Sequence, residues 1–185
     1  VENGVSIVQL RADEFKKGEW YAAATALMDL LAPTGVPLII NNEVDVALAV
    51  NADGVHIGQK DLPPAVVRRL LGPDKIIGLS TSNEAEIAAA ALEDVDYLGI
   101  GPVYPTTSKK DAPPVLGPDG LKRLVQLKKN PAVAIGGINR GNLPEVMASG
   151  VEGIAVVSAI CGQPDIAGRA SELAGGVTGA CSGVK

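Results

Sequence analysis

The chain has 185 residues, of which 46% are hydrophobic and 20% are charged, and its formal net charge at pH 7 is −5. This length and composition predict a globular protein with one domain. The acidic balance disfavours a nucleic-acid partner, because a phosphate backbone is held by a surplus of Lys and Arg. The apolar runs are far shorter than the roughly 20 residues that span a bilayer, so no membrane partner is predicted either.

The chain has two cysteines and one histidine. Cys161 and Cys181 lack the C-x-x-C spacing of zinc ribbons and thioredoxin-type redox sites, so they are predicted to be free thiols. A single histidine, His56, excludes multi-histidine metal sites and disfavours a Ser-His-Asp triad. No signal peptide opens the chain, which favours a cytoplasmic protein, or an organellar stroma if the N-terminus was processed.

Short β-branched runs alternate with longer amphipathic segments along the whole chain. This alternation is typical of βαβ units around a parallel sheet, and the continuous apolar strands fit a sheet that is covered on both faces. One helix is predicted to begin at Pro63-Pro64 and to end at Gly72, and another runs from Ser82 to Glu93. The seven predicted strands are Val5–Leu10, Pro37–Asn41, Gly54–Ile57, Lys75–Leu79, Tyr97–Ile100, Ala132–Ile135 and Gly153–Val157.

The predicted fold class is α/β, as a (β/α)8 TIM barrel that lacks its first β–α unit, because Val1–Gly4 reads like the end of a helix that feeds the first strand. Residues 1–174 are predicted to form this single, N-terminally incomplete domain, and the Gly-rich residues 175–185 a flexible tail. An open barrel exposes two sheet edges, so poor solubility or pairing with a partner is expected. A homo-oligomer and a parent bifunctional chain both stay open.

Polar residues and glycines follow the predicted strands, where a barrel places its functional groups. Gly136 and Gly137 let backbone N–H groups approach an anion at a helix N-terminus, and Val157-Ser158 follows the next strand in the same way. Barrels often bind phosphate with the loops after their last two strands, so these segments predict a phosphate site. Glycines that only make tight turns are the alternative.

The connection Gly101–Asp111 is long for a loop between a strand and a helix, which is typical of lids and binding loops. Its three hydroxyls and two lysines, Thr106, Thr107, Ser108, Lys109 and Lys110, suit a phosphorylated ligand, although a merely solvated loop is the alternative. Asp61 follows the third strand, where a carboxylate can hold Mg²⁺ with help from substrate phosphates. Capping of the following helix is the alternative for Asp61.

Seven ordered motifs span nearly the whole chain, and together they resemble the thiamine-phosphate synthase (thiamine-phosphate pyrophosphorylase) family. The resemblance implies a transferase that joins hydroxymethylpyrimidine diphosphate to a thiazole phosphate through a C–N bond and releases pyrophosphate, with Mg²⁺ as cofactor. It implies small phosphorylated molecules as partners. The motifs are Val8-Gln9-Leu10-Arg11, Ile40-Asn41-Asn42, Gly54–Asp61, Gly78-Leu79-Ser80, Gly101–Lys109, Ile135-Gly136-Gly137-Ile138 and Val157-Ser158.

The resemblance also implies roles for individual residues. Arg11, Ser80 and Lys109 would be catalytic, and Asp61, with Asn42 beside it, would hold the metal. A departing diphosphate needs positive charge where negative charge accumulates, which Arg11, Lys109 and Mg²⁺ supply. The implied diphosphate contacts are Gln9, Arg11, Asn41, Ser80 and Lys109. The implied thiazole-phosphate contacts are Thr106, Thr107, Ser108, Gly137, Val157 and Ser158, with Gly136 in the same turn.

Two residues depart from the family's pattern. Asn42 stands where the family has Asp, and a neutral amide binds a hard cation more weakly, so Glu43 compensates only if the chain turns there. Asp13 stands where the family has a diphosphate-binding Lys, and its charge repels the leaving group unless Lys16 or Lys17 moves in.

Two alternative functions stay open, the first of them because of these departures. One is a catalytically impaired relative that binds thiazole phosphate or thiamine phosphate without turnover. The other is a thiazole tautomerase, which is similar in fold but resembles an isomerase with a histidine base, where this chain has Ser80-Thr81-Ser82.

Overall fold

The computed structural model describes residues 1–90, 94–109 and 112–181, and it is an α/β fold with one seven-stranded sheet in the order β1 to β7. The register is parallel wherever it is assigned, as the sequence predicts. The strands are β1 (Val8–Leu10), β2 (Leu38–Asn41), β3 (Gly54–Ile57), β4 (Ile76–Thr81), β5 (Tyr97–Ile100), β6 (Ala132–Ile135) and β7 (Gly153–Ala155). The helices are α1 (Lys17–Leu31), α2 (Val44–Val50), α3 (Pro64–Leu71), α4 (Glu84–Ala89), α5 (Gly117–Leu127), α6 (Leu143–Met147) and α7 (Ile166–Cys181), with a 3₁₀ helix at Ala32–Thr34.

The chain forms two compact units. The first contains β1 to β3 and the strand residues of β4 up to Leu79, with residues 94–96, and the second contains residues 80–90, 97–109 and 112–181 together with Glu2–Gly4. Within the described residues, no helix combines the length and the apolar character needed to span a membrane. The predicted single domain and the predicted absence of a first β–α unit both stay predictions.

The core of the first unit is built on its central strands. Leu38, Ile39 and Ile40 of β2 have no exposed surface, and His56 of β3 is 9% exposed. Successive residues of a strand point to opposite faces, so three consecutive buried residues mean that both faces of β2 are covered. The prediction of a sheet covered on both sides is confirmed for this strand.

In each of two strand pairs, an acidic residue directly before one strand makes hydrogen bonds to the neighbouring strand near its amino end. The Asp53 carboxylate accepts the N–H of Leu38 at 2.8 Å, and the Asp53 N–H donates to the Leu38 carbonyl at 3.1 Å. Asp96 makes the same two bonds to Ile77, at 2.7 and 2.8 Å. We call such a two-bond contact an acid clamp. Each one satisfies a donor where the ladder of backbone bonds begins.

A third acid clamp lies in the second unit and includes a lysine. The Glu152 carboxylate accepts the Ala132 N–H at 2.8 Å and pairs with Lys128 at 2.6 Å, and the Glu152 N–H donates to the Ala132 carbonyl at 3.1 Å. Burial raises the pKa of Glu152, but the bonds from Lys128 and from the Ala132 N–H outweigh it, so that this pKa is lowered. The ionised carboxylate is therefore the form that stabilises the fold.

The strand boundaries differ from the prediction at both ends of the sheet. β1 begins at Val8 rather than Val5, because the Val8 N–H donates to Pro37 and proline has no N–H with which to extend the ladder. β7 ends at Ala155 rather than Val157, since the Val157 carbonyl accepts the N–H groups of Ile160 and Cys161 and so begins a tight turn. Cys161 is a free and exposed thiol, as predicted.

Two helices also differ from the prediction. α4 begins after Asn83, whose side chain accepts the Glu86 N–H at 3.0 Å, and its last helical residue is Ala89 because Ala90 is extended. The predicted helix end at Glu93 lies outside the described residues. α7 remains helical through Gly176 to Cys181, where a tail from residue 175 is predicted. A Cβ at Gly176 would meet Leu143 of α6 at 2.4 Å, so glycine serves helix packing there, while the mobility of this end stays a prediction.

Glu152→Gln tests whether the ionised acid clamp stabilises the fold. Gln is isosteric with the protonated acid, and we expect it to lower the free energy of unfolding by about 1 kcal/mol or less at neutral pH, because the side chain is partly exposed. Since the folded pKa is lowered, this loss should be fully present above the unfolded pKa of about 4.5 and should vanish as the pH falls through the folded value. Urea unfolding at neutral pH and at a pH below the folded pKa measures this loss of unfolding free energy. The substitution Glu2→Gln, at an exposed residue, is the control. An equal loss at both pH values contradicts the assignment.

Candidate functional site

Arg11, which follows β1 in the first unit, is held by its neighbour Asp13. The Arg11 Nη2 lies 2.5 Å from Asp13 Oδ2, and its Nε lies 3.0 Å from Asp13 Oδ1, so the two side chains make a bidentate ion pair. The side chain of Arg11 is 23% exposed and that of Asp13 is 60% exposed. Asp13 therefore occupies the guanidinium that is expected from the sequence to contact a diphosphate.

Of the two lysines that could offset the charge of Asp13, Lys17 is engaged elsewhere in the first unit. Lys17 Nζ pairs with the carboxylates of Glu43 and Asp45, the latter at 2.7 Å. These contacts, first with Asp45 and then with Glu43, raise the pKa of Lys17, and the bond from Lys17 lowers the pKa of Asp45. The backbone N–H of Lys16 donates to Glu19 at 2.8 Å, which fixes the start of α1. Neither lysine contacts Asp13 through these bonds.

Asn42 makes the turn on which a metal role for Glu43 depends. Asn42 has a φ of 62°, in the left-handed region, and its N–H donates to the His56 carbonyl at 2.9 Å. The chain therefore does turn directly after Asn41, the last residue of β2. Glu43 nevertheless pairs with Lys17, so it reaches a metal only if that ion pair opens.

Asp61 lies in the loop after β3 and closes a small turn. Its Oδ2 accepts the Gly58 N–H at 2.7 Å, and its own N–H donates to the Gly58 carbonyl at 3.2 Å. The residue that caps α3 is Pro63, so the alternative that Asp61 caps this helix is wrong. Asp61 Oδ1 makes no hydrogen bond with the described residues and is exposed.

The donors for a cation are few in the part of the chain that the structure describes. No group of three or more His, Cys, Asp and Glu side chains comes together there. Asp61 Oδ1 and the Asn42 amide oxygen are hard oxygen ligands, which Mg²⁺ prefers, and they belong to loops that follow the neighbouring strands β2 and β3. This donor set fits Mg²⁺ that arrives with substrate phosphate oxygens, and it does not make a closed protein cage.

In the second unit, the loop after β5 lies against the Gly136-Gly137 turn after β6. The N–H groups of Val103 and Tyr104 donate to the carbonyls of Ile135 and Gly136, at 2.9 and 3.0 Å. Gly136 and Gly137 have φ values of 100° and 64°, and a Cβ on either would come within 2.6 Å of this loop. The close approach alone requires glycine at both positions, so the phosphate role of the pair stays a prediction.

Two asparagines, which sequence reasoning missed, shape the turn between β6 and α6. Asn142 accepts the Asn139 N–H at 2.8 Å and donates to the Gly137 carbonyl at 3.0 Å, and Asn139 accepts the Gly141 N–H at 2.8 Å. The glycine pair lies between a strand and a helix, as predicted, and residues 138–142 separate it from α6, which begins at Leu143. The Asn-x-x-Asn spacing after a Gly-Gly pair was the available signal, since Asn side chains favour such turns.

A pocket of about 430 Å³ in the second unit brings two of the predicted phosphate segments together. Within the described residues, the N–H groups of Gly137, Ser158 and Ala159 have no acceptor, and all three residues line the pocket. Gln163 donates to the Ser158 carbonyl at 2.8 Å, which fixes the second segment. Unpaired backbone N–H groups from two loops can bind an anion. The other lining residues are Ile138, Asn139, Arg140, Gly141, Gln163, Arg169, Glu172 and Leu173.

The remaining predicted site residues lie in both units. Gln9 is exposed on β1 and Asn41 is half-buried at the end of β2, in the first unit. Ser80 is half-buried on β4, and Val157 is 50% exposed, in the second. The hydroxyl loop, by which we mean residues 106–109, is half-buried at Thr106 and exposed at Thr107, Ser108 and Lys109. Lys110 and Asp111, predicted as part of the same loop, lie outside the described residues.

The parallel strand order from β1 to β7 is that of α/β proteins of the TIM-barrel class. Residues 1–160 match the family model described as thiamine monophosphate synthase. The thiamine-phosphate synthase of Laribacter hongkongensis is 52% identical over 170 residues, which are 92% of this chain and 80% of that one. The chain therefore belongs to the thiamine monophosphate synthase family.

Other relatives and solved structures agree. The thiamine-phosphate synthase of Syntrophomonas wolfei is 49% identical over 173 residues, which cover 94% of this chain and 83% of the relative. The structure of a thiamine phosphate pyrophosphorylase from Pyrococcus furiosus has a TM-score of 0.87 at 38% identity and covers 97% of this chain and 86% of its own. A 3-hexulose-6-phosphate synthase shares the fold alone, with a TM-score of 0.72 at 17% identity, 96% coverage of this chain and 89% of its own.

Gly137→Ala tests whether the close approach of the loop, rather than the positive φ, is what requires glycine. Gly35 is a matched control, because it has a similar φ of 71° with nothing near its Cβ position, whereas Gly137 has 64° and Pro105 and Tyr104 within 2.7 Å. We expect Gly35→Ala to cost about 1 kcal/mol of unfolding free energy and Gly137→Ala about 2–4 kcal/mol. Urea unfolding measures both, and equal losses contradict this account.

Proposed function

We propose that this chain condenses hydroxymethylpyrimidine diphosphate with a thiazole phosphate to give thiamine phosphate and pyrophosphate. The observation that carries the proposal is the pocket where Gly137 and Ser158 meet, in a chain that belongs to this family. The two segments come from loops after successive strands, and the unpaired N–H groups suit the monophosphate of the thiazole. Thr106, Thr107, Ser108, Gly136 and Val157 join them as proposed contacts of the same substrate.

The diphosphate contacts in this proposal are those that the family resemblance implies, namely Gln9, Arg11, Asn41, Ser80 and Lys109. Asp61 and Asn42 would hold Mg²⁺, whose chemistry is to neutralise charge on the departing diphosphate. The guanidinium of Arg11 and the ammonium of Lys109 would stabilise the same developing charge.

The proposed reaction needs no protein nucleophile. The bond between the pyrimidine methylene carbon and the diphosphate oxygen breaks, and its electron pair leaves with the pyrophosphate. The lone pair of the thiazole nitrogen then forms the new C–N bond. In this proposal the chain's own residues bind and orient the two substrates and stabilise the leaving group.

The experiment that tests the proposal is to mix both phosphorylated precursors with the full chain and Mg²⁺ and to measure thiamine phosphate and pyrophosphate. We expect both products in equal amounts, and none with either precursor alone. Binding of thiazole phosphate in calorimetry without any product identifies the impaired binder instead. Conversion of a thiazole phosphate isomer with no diphosphate present identifies the tautomerase. The absence of both binding and turnover contradicts the proposal.

The Arg11–Asp13 ion pair is the observation that favours an impaired relative, and Asp13→Asn tests its effect. Removal of the carboxylate charge frees the guanidinium for the diphosphate, so we expect the KM for the diphosphate to fall by about two- to fivefold, because exposed ion pairs contribute little. The KM for thiazole phosphate should not change. Asp29→Asn, an exposed aspartate on α1, is the control. If the KM for the diphosphate rises instead, Asp13 helps to bind the diphosphate and the ion pair does not favour an impaired relative.

A further inference from the structure

A hydrogen bond that the proposed mechanism does not use joins the loop after β5 to α6. The Tyr104 hydroxyl donates to Glu145 Oε2 at 2.7 Å, and the two residues are 41 positions apart in the chain. Both lie in the second unit. Tyr104 is half-buried, and Glu145 lies in the first turn of α6. The bond therefore connects two segments that flank the Gly136-Gly137 turn.

Tyr104 is fixed both to this turn and to the helix that follows it. Its backbone N–H donates to the Gly136 carbonyl at 3.0 Å, and a Cβ at Gly137 would lie 2.7 Å from the Tyr104 Cβ. Its hydroxyl is bound to α6, the helix that follows the turn. One residue is thus fixed against the beginning of the turn by its backbone and against the helix beyond it by the end of its ring.

The hydroxyl loop begins two residues after Tyr104. Within it, the Ser108 N–H donates to Thr106 Oγ1 at 3.2 Å, which folds the loop on itself. On its other side, Tyr104 touches Gly137, which lines the pocket. Tyr104 therefore lies between the hydroxyl loop and the Gly136-Gly137 turn, the two segments that are proposed to bind the monophosphate.

The tyrosine side chain is a neutral donor in the pH range of ordinary assays. Burial, together with the bond to the Glu145 carboxylate, raises the pKa of Tyr104 to about 12. The proton that the phenol donates to Glu145 is therefore retained. A phenylalanine ring would occupy the same space without this bond, so the hydroxyl can be removed with little change in packing.

We propose that Tyr104 is a positioning residue, which acts through its bond to Glu145 to hold the hydroxyl loop against the Gly136-Gly137 turn and so sets the affinity for the thiazole phosphate. The inference rests on the proposed function of this site. Without the bond, the loop keeps its backbone contacts but samples other positions, and the substrate must order it on binding. Ordering that is needed equally for the bound substrate and for the transition state appears in KM.

Tyr104→Phe is the test. We expect the KM for thiazole phosphate to rise about three- to tenfold, while kcat and the KM for the diphosphate change by less than about twofold. Tyr21→Phe is the control, since Tyr21 lies on α1 in the first unit and is 51% exposed. Glu145→Ala should reproduce the effect of Tyr104→Phe. Glu145→Gln, which keeps a carbonyl acceptor for the phenol, should recover most of it, and the Tyr104→Phe/Glu145→Ala double variant should be no worse than either single variant.

Amide hydrogen exchange separates this inference from the proposed function. If Tyr104 positions the loop, exchange over residues 103–109 is faster in Tyr104→Phe than in the wild type, whereas the urea midpoint changes little. Unchanged exchange, an unchanged KM for thiazole phosphate, or a fall in kcat alone overturns the inference even if the wild type makes thiamine phosphate. A wild type that forms no product overturns the proposed function, and the exchange rates still decide whether the bond to Glu145 holds the loop.

Discussion

The acid clamps oppose a slip of register in three of the strand pairs, and the placement of the predicted site residues after these strands depends on that register. Asp53, Asp96 and Glu152 each precede a strand directly, and each makes two hydrogen bonds to one residue of the neighbouring strand. A slip by one residue would turn every side chain of a strand to the opposite face. Such a slip would also leave a carboxylate and a backbone N–H without their partners, so the clamps oppose it at the amino ends of three strand pairs.

The fixed register at the amino ends determines what meets at the carboxyl ends. Ile135 of β6 lies opposite Ala155 of β7, so the Gly136-Gly137 turn and the Val157-Ser158 turn leave the sheet side by side. This is why Gly137 and Ser158 line one pocket although they are separated by a helix in the chain. The glycines are also required for packing at this place, because the loop after β5 approaches them so closely that no side chain fits. Packing and the proposed anion binding thus favour the same residue type.

Much of this fold could be predicted from local patterns. The runs Gly54–Ile57, Tyr97–Ile100 and Ala132–Ile135 are strands with the predicted bounds, because apolar runs of that length next to turn residues have few other uses. The start of β1 could not be predicted from its own residues, since it depends on the missing N–H of Pro37. The helix through residues 175–181 could not be predicted, because the Gly-rich composition indicates a flexible end. The contact of Gly176 with Leu143 on α6 joins distant parts of the chain and leaves no local signal.

The site shows the same division between local signals and long-range pairs. The Gly-Gly pair and the polar strand ends could be found in the sequence, because each of them is a local feature. The bond between Tyr104 and Glu145 and the pairing of Lys17 with Glu43 could not be found, since each joins residues from distant segments. The acid clamps left a readable signal, an acidic residue directly before a strand. That signal was missed because such a residue is equally common in loops.

Electrostatics decides whether the departure at Asp13 is compatible with the proposed function. The carboxylate of Asp13 neutralises Arg11 across a pair whose acidic partner is 60% exposed. An exposed ion pair contributes about 0–1 kcal/mol, whereas a diphosphate presents several charged oxygens to the same guanidinium fork. The incoming ligand can therefore replace the carboxylate at small cost. Asp13 is therefore compatible with the proposed diphosphate site, and the cost of displacing its carboxylate is the small penalty in KM that Asp13→Asn should remove.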